Sequence, residues 1–152
     1  MKKTILIASL ALATVLTGLA TSASAQSMAA TSGNSALYQA FGEKAGLVKL
    51  MDDFVPRLQT DPRLAEAFKK ANVENLKMQL VNQICQVSGG PCEYKGADMK
   101  TAHNSMDITK TDFNALVEVL QKSMDAQGIS FSNQNQLLAK LAPMHRDVIT
   151  VK

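Results

Sequence analysis

The sequence predicts an all-α fold, on three observations. Apolar residues recur at helical spacing in four separate stretches. No stretch alternates with the two-residue period of a half-buried strand. The apolar content is mainly Leu, Ala, Val and Met, with no Trp and only two Tyr, which suits helices better than sheets.

The first stripe is Leu47, Leu50, Met51, Phe54 and Leu58. Pro56 falls inside it and removes one helical hydrogen bond, so a kink or an early end is expected there. Asp61-Pro62 and Asn72 mark turns before helices. The second stripe is Val73, Leu76, Leu80 and Ile84, and Ser88-Gly89-Gly90-Pro91 must break it. Between Cys85 and Thr109 there is room only for a short helix, Asp98 to His103, with Asp98 as its cap. The third stripe is Phe113, Leu116, Leu120 and Met124, with Val117 beside it. Thr109 and Asp112 resemble its capping box, and Gly128 ends it. The fourth is Leu137, Leu141, Met144 and Val148, with Ser130 or Ser132 as cap. Four amphipathic helices with short loops make one packed helical domain.

The 152 residues are one domain's worth, preceded by a processing segment. Lys2 and Lys3 open it, Thr4 to Ala20 is apolar and uncharged, and Ala23-Ser24-Ala25 supplies small residues for cleavage. This is the three-part pattern of a signal peptide over residues 1–25; an uncleaved membrane anchor is the other reading. Residues 26–35 are Ser, Ala, Thr, Gly and Asn rich and read as a disordered leader. Residues 36–152 form the domain. A periplasmic or secreted location follows, with no membrane association once the signal is removed. Lys2 and Lys3 carry much of the formal +3 charge, so the basic balance is partly an export signal. There is no basic stripe and almost no aromatic interleaving, which excludes a nucleic-acid partner.

Cys85 and Cys92 are an even, close pair. In an oxidising compartment such a pair reads as a disulfide; two unpaired thiols are the other reading. Their spacing is not Cys-x-x-Cys, and no Cys-x-x-Cys-His for covalent haem attachment is present. The two histidines are His103 and His145. By residue type alone each is more often structural or exposed, and no second His, Cys or carboxylate lies near His103 at zinc-site spacing. Asp52-Asp53 is a carboxylate pair, but adjacent helical residues diverge and do not share a site. No Gly-x-Ser-x-Gly, phosphate loop or dinucleotide fingerprint appears, so no catalytic set is assigned.

Four stretches, in order, carry a resemblance to a known family. Leu37-Tyr38-Gln39-Ala40-Phe41-Gly42 opens it. Asp52-Asp53-Phe54 is followed by Asp61-Pro62-Arg63-Leu64 and Phe68. Gly89-Gly90-Pro91 leads to Tyr94 and Gly96. Met99-Lys100-Thr101-Ala102-His103 is followed by Ile108-Thr109, and Leu141-Ala142-Pro143 closes the match. From Leu37 onward the chain resembles the group 1 truncated haemoglobins, and the Cys pair resembles an exported branch of them. The resemblance implies a globin-like, two-over-two helical sandwich around haem b, an iron protoporphyrin. It places His103 as the proximal iron ligand and Phe68 against the haem face. It places Leu76, Leu80, Met99, Ala102, Ile108, Phe113, Leu116 and Leu141 along the pocket, and Lys100 near a propionate.

The chain departs from the family's distal side, where a tyrosine and a glutamine often donate hydrogen bonds. Val55 and Leu80 stand there, with Leu76 beside them, and Gln79 is the nearest candidate donor. A hydrogen-bond donor to a partly negative diatomic ligand is worth about 1–3 kcal/mol in a dry site. Oxygen should therefore leave faster than from a donor-lined pocket, while carbon monoxide and nitric oxide depend less on a donor. The leading expectation is a haem protein for small diatomic ligands (oxygen, nitric oxide, carbon monoxide) rather than strong oxygen storage. A haem enzyme oxidising nitric oxide or acting as a weak peroxidase is the second reading; it needs an electron-donor protein, since no flavin or nicotinamide domain is recognisable. A haem-free helical adaptor is the third.

Overall fold

The computed structural model describes residues 36–151, and the signal-peptide and leader readings lie outside them. The described residues form helices α1 (residues 36–40), α2 (Glu43–Thr60), α3 (Ala65–Phe68), α4 (Val73–Val87), α5 (Met99–His103), α6 (Lys110–Ala126), α7 (Phe131–Leu141), a 3-10 turn (Ala142–Met144) and α8 (His145–Val148). No strand occurs among them. The α2–α4 pair packs against the α6–α7 pair, which is the two-over-two arrangement expected.

The core sits where α2 meets α4 and α6. Leu47, Leu50, Met51, Phe54 and Leu58 are all buried, as their stripe requires. They meet Val81 and Ile84 of α4, Ala115, Val119, Leu120 and Met124 of α6, and Leu137 of α7. Leu37, Tyr38 and Phe41 close one end of the core. A Cβ at Gly46 would collide with the Phe41 carbonyl oxygen, so only glycine lets α2 start this close to α1.

The helix ends follow the expected capping chemistry. Asn72 accepts from the Asn75 N–H at the start of α4. Thr109 and Asp112 form a reciprocal capping box at the start of α6. Ser130, not Ser132, caps α7. Gly128 takes φ 68° just beyond α6, a left-handed position that glycine fills without a Cβ penalty. Cys85 and Cys92 are joined by a disulfide with Cα atoms 5.7 Å apart, tying the end of α4 to the strand-less segment that leads to α5.

Two expectations are corrected. Of the kink and the early end expected at Pro56, the early end is excluded, since helix α2 runs on to Thr60. Pro56 is exposed, so the Asp52 carbonyl that loses its partner also faces water, and the Thr60 hydroxyl donates back to the Pro56 carbonyl at 3.0 Å. The fourth stripe is not one helix: Pro143 sits in the 3-10 turn that separates α7 from α8.

The disulfide closes a short loop, and in the chain-entropy model that contributes about 2–3 kcal/mol. Replacing both Cys85 and Cys92 with Ser is expected to lower the unfolding free energy in urea by that amount. An unchanged midpoint and slope would contradict the assignment.

Candidate functional site

The faces of α4 and α6 that do not meet side chain to side chain leave a cavity of about 730 Å³ between them. That is within the range of about 300–1,000 Å³ typical of cofactor and ligand sites. Leu76, Leu80 and Ile84 face it from α4; Phe113, Leu116, Val117 and Leu120 from α6; Phe54 from α2; Phe68 from α3; Leu138 and Leu141 from α7. This explains why Leu76, Leu80, Phe113 and Leu116 are only half-buried although they lie on apolar stripes.

His103 stands in the wall of this cavity, at the end of α5. Its Nδ1 lies 2.6 Å from the Met99 carbonyl oxygen one turn earlier. A carbonyl can only accept, so Nδ1 carries a proton, and in the neutral ring it is Nε2 that has the lone pair. Asp98 caps α5 by accepting from the Thr101 N–H at 2.9 Å and the Thr101 hydroxyl at 2.7 Å. Upstream, the Tyr94 hydroxyl donates to the Ala97 carbonyl at 2.8 Å, and burial pushes its pKa up. The short helix is thus fixed before its first turn begins.

Among the described residues no group of three or more His, Cys, Asp and Glu could hold a metal ion. One imidazole in an apolar cavity does not suit a bare ion, which needs about four protein donors in a structural site. It suits a metal that brings its remaining ligands with it, on a flat apolar body large enough to fill the space. The residues present therefore fit a porphyrin-bound iron.

The wall is mostly apolar, with polar groups at a few points. Asn72, Asn75 and Gln79 lie along α4, and Asp112 and Asn114 along α6. Gln83 points its amide at the sulfurs of Met99 and Met144, 3.3 Å from each. A smaller cavity of about 200 Å³ shares Gln83, Tyr94, Met99 and Met144 with the main one.

Most residues expected at the site are in this wall: His103, Phe68, Leu76, Gln79, Leu80, Met99, Ala102, Ile108, Phe113, Leu116 and Leu141. Two are not. Val55 is fully buried in the core, and Phe54 is the α2 side chain that reaches the cavity. Consecutive helical residues point about 100° apart, so one turns to the cavity and the other to the core. Lys100 is exposed on α5 and absent from the wall. His145 packs edge-on against Phe113, with ring centroids 4.9 Å apart, in a structural role. Asp52 pairs with Lys77 at 2.8 Å and Asp53 with Arg57 at 2.6 Å, so the two carboxylates diverge as expected. Sequence reasoning missed Ala67, Ala71, Asn75, Gln83 and Met106 as wall residues. The small and polar ones carry no apolar periodicity, while Gln83 lies three residues beyond Leu80, on the same α4 face.

Three comparisons bear on this geometry. The bacterial-like globin family profile matches residues 36–150. The chain is 27% identical over 114 residues to the group 1 truncated hemoglobin GlbN of Mycolicibacterium paratuberculosis, covering 75% of this chain and 84% of that protein. It is 28% identical over 94 residues to the group 1 truncated hemoglobin of Tetrahymena thermophila, covering 62% and 78%. Its backbone superposes on the Fe(III) form of truncated hemoglobin from Tetrahymena pyriformis with a TM-score of 0.72 at 22% identity, covering 74% of this chain and 97% of that one. The likeness to truncated hemoglobin THB11 from Chlamydomonas reinhardtii has a TM-score of 0.65 at 18% identity, covering 76% and 96%.

The caps beside the site make its acid sensitivity predictable. The Thr101 backbone N–H and hydroxyl hold the Asp98 carboxyl below its ordinary value of 3.8. The Thr109 hydroxyl and N–H do the same for Asp112. A depressed folded pKa gives stability that is present above the unfolded value and lost as pH falls through the folded one. Below about pH 4 the first turns of α5 and α6 should fray. The Thr101 and Asp112 amide resonances report this, and Asp98→Asn, which keeps an acceptor without the charge, should flatten the response at Thr101. The same acid shift at Thr101 in Asp98→Asn would contradict it.

Proposed function

The chain belongs to the bacterial-like globin family, and from that we propose that it is a haem protein holding one haem b in the α4–α6 cavity. His103 is its protein ligand to iron, and a small diatomic gas is its exchangeable ligand. One observation carries the reading: the cavity wall holds a single imidazole, and Met99 holds its Nδ1 so that Nε2 is free for a metal. When bound, haem supplies an iron with one position left for a diatomic ligand.

The chain's own residues do the rest. Met99 and Asp98 orient the imidazole through the bonds described above. Phe68, Leu76, Leu80, Phe113 and Leu116 supply apolar surface and exclude water. Burying that surface against a flat apolar group contributes roughly 25 cal/mol per Å². Leu76 and Leu80 offer no hydrogen-bond donor toward the gas site. Gln79 lies in the wall between them in sequence, and Asn75 precedes them. This supports a pocket that discriminates weakly in favour of oxygen and takes nitric oxide and carbon monoxide without a donor.

Location outside the cytoplasm belongs to the same proposal. The Met1–Ala25 pattern and the Cys85–Cys92 disulfide both support an oxidising compartment.

The purified chain supplied with haem is expected to hold one haem per chain and to show a Soret band that shifts on adding carbon monoxide to the reduced form. Absence of that band after haem is supplied would overturn the reading. Leu80→Gln is expected to slow oxygen release about tenfold, the effect of one added donor. Stopped-flow measurement of oxygen dissociation checks this, and an unchanged rate would remove Leu80 from the gas-binding wall.

A further inference from the structure

Helix α5 carries His103 but is only five residues long and holds no fully buried side chain. It has too few turns to be stable alone. Among the helices it packs chiefly on α8, near the C-terminus. Helix α8 is anchored in turn by the edge-on contact of His145 with Phe113 on α6.

The chain beyond α8 then folds back on the loop that leaves α5. The Thr150 hydroxyl accepts from the Ile108 N–H at 2.7 Å. The Thr150 and Val151 N–H groups both donate to the Ile108 carbonyl at 3.0 Å. Ile108 and Val148 are both in the cavity wall. Directly before Ile108, Asp107 is held at φ 49°, a left-handed backbone that costs free energy for most residues but glycine, though less for Asp than for others. A strained turn persists only where its surroundings over-determine it, and Thr150 is the tie on its far side.

We propose that Thr150 is a positioning residue for His103. By clamping Ile108 it holds the strained Asp107 turn, and through that turn and α8 it fixes the direction in which α5 presents Nε2 to the cavity. The C-terminal segment is thus a strap on the histidine side of the site. This rests on the haem reading for its consequence, but the clamp itself does not need a bound group.

The test uses the full chain with Thr150→Val, which keeps the shape of the side chain and removes the hydroxyl, and Thr150→Ser, which restores it. In the haem-free protein, amide hydrogen exchange of α5 and Ile108 is expected to quicken about fivefold in the Val variant, the effect of losing one ordinary hydrogen bond. Exchange in α2 and α6 should be unchanged, and Thr150→Ser should exchange like the parent. In the haem-loaded, reduced protein the iron–histidine stretching band should shift or broaden in the Val variant alone, and haem transfer to an acceptor globin should quicken about fivefold. Faster exchange at Ile108 with α5 and the stretching band unchanged would overturn the proposal, because the clamp would then hold only its own loop. Unchanged exchange at both would also overturn it. A chain that takes up no haem would sink the functional reading, while the exchange measurement would still decide whether Thr150 holds α5.

Discussion

The hydrogen bond between His103 Nδ1 and the Met99 carbonyl, 2.6 Å long, is the contact to which the site is built. It fixes the tautomer, and with it which nitrogen can bind a metal. A carbonyl within the same short helix makes the bond, so orientation of the imidazole reduces to orientation of α5. That helix holds no fully buried side chain. Its placement comes from its two ends: the Asp98 cap, Tyr94 and the disulfide on one side, and α8 with the C-terminal strap on the other.

The fold keeps the cavity by dividing the work of its helices. The apolar face of α2 serves as the shared wall of the core, with Leu47, Leu50, Met51 and Leu58 essentially inaccessible, and gives the cavity only Phe54. Helices α4 and α6 each turn part of their apolar stripe to α2 and the rest to the cavity. A domain of this size buries a limited fraction of its surface, so apolar residues facing a cavity are stability not yet realised. A group that fills the cavity in the folded state alone stabilises that state by mass action. Binding and folding are therefore coupled here through Leu76, Leu80, Phe113 and Leu116.

Much of this was legible in the residues. Stripe spacing gave α2, α4 and α6 and the start of α7, though not the break at Pro143, and the caps at Asn72, Asp98, Thr109 and Ser130 stand where side-chain chemistry puts them. The wall residues on α4 and α6 followed from the same stripes. His103 was different: one histidine beside a short helix has no distinguishing pattern, and only the order of several motifs singled it out. What spacing cannot express was missed. Pro56 reads as a breaker, yet on an exposed face its lost bond can be made to water. Val55 and Phe54 are neighbours in sequence, and only packing decides which of them turns to the cavity. The Thr150–Ile108 clamp joins a hydroxyl to a backbone amide 42 residues away, and no local signal announces it.

The central claim is that His103 Nε2 is the protein's hold on a haem iron. It is tested most directly by haem-loading His103→Gly and recording its absorption and resonance Raman spectra without and with added imidazole. The account predicts that the variant loses the parent's iron–histidine band and recovers a parent-like spectrum when imidazole occupies the space left by the side chain. A variant that shows the parent spectrum without imidazole would contradict it, since the iron would then be held by some other group.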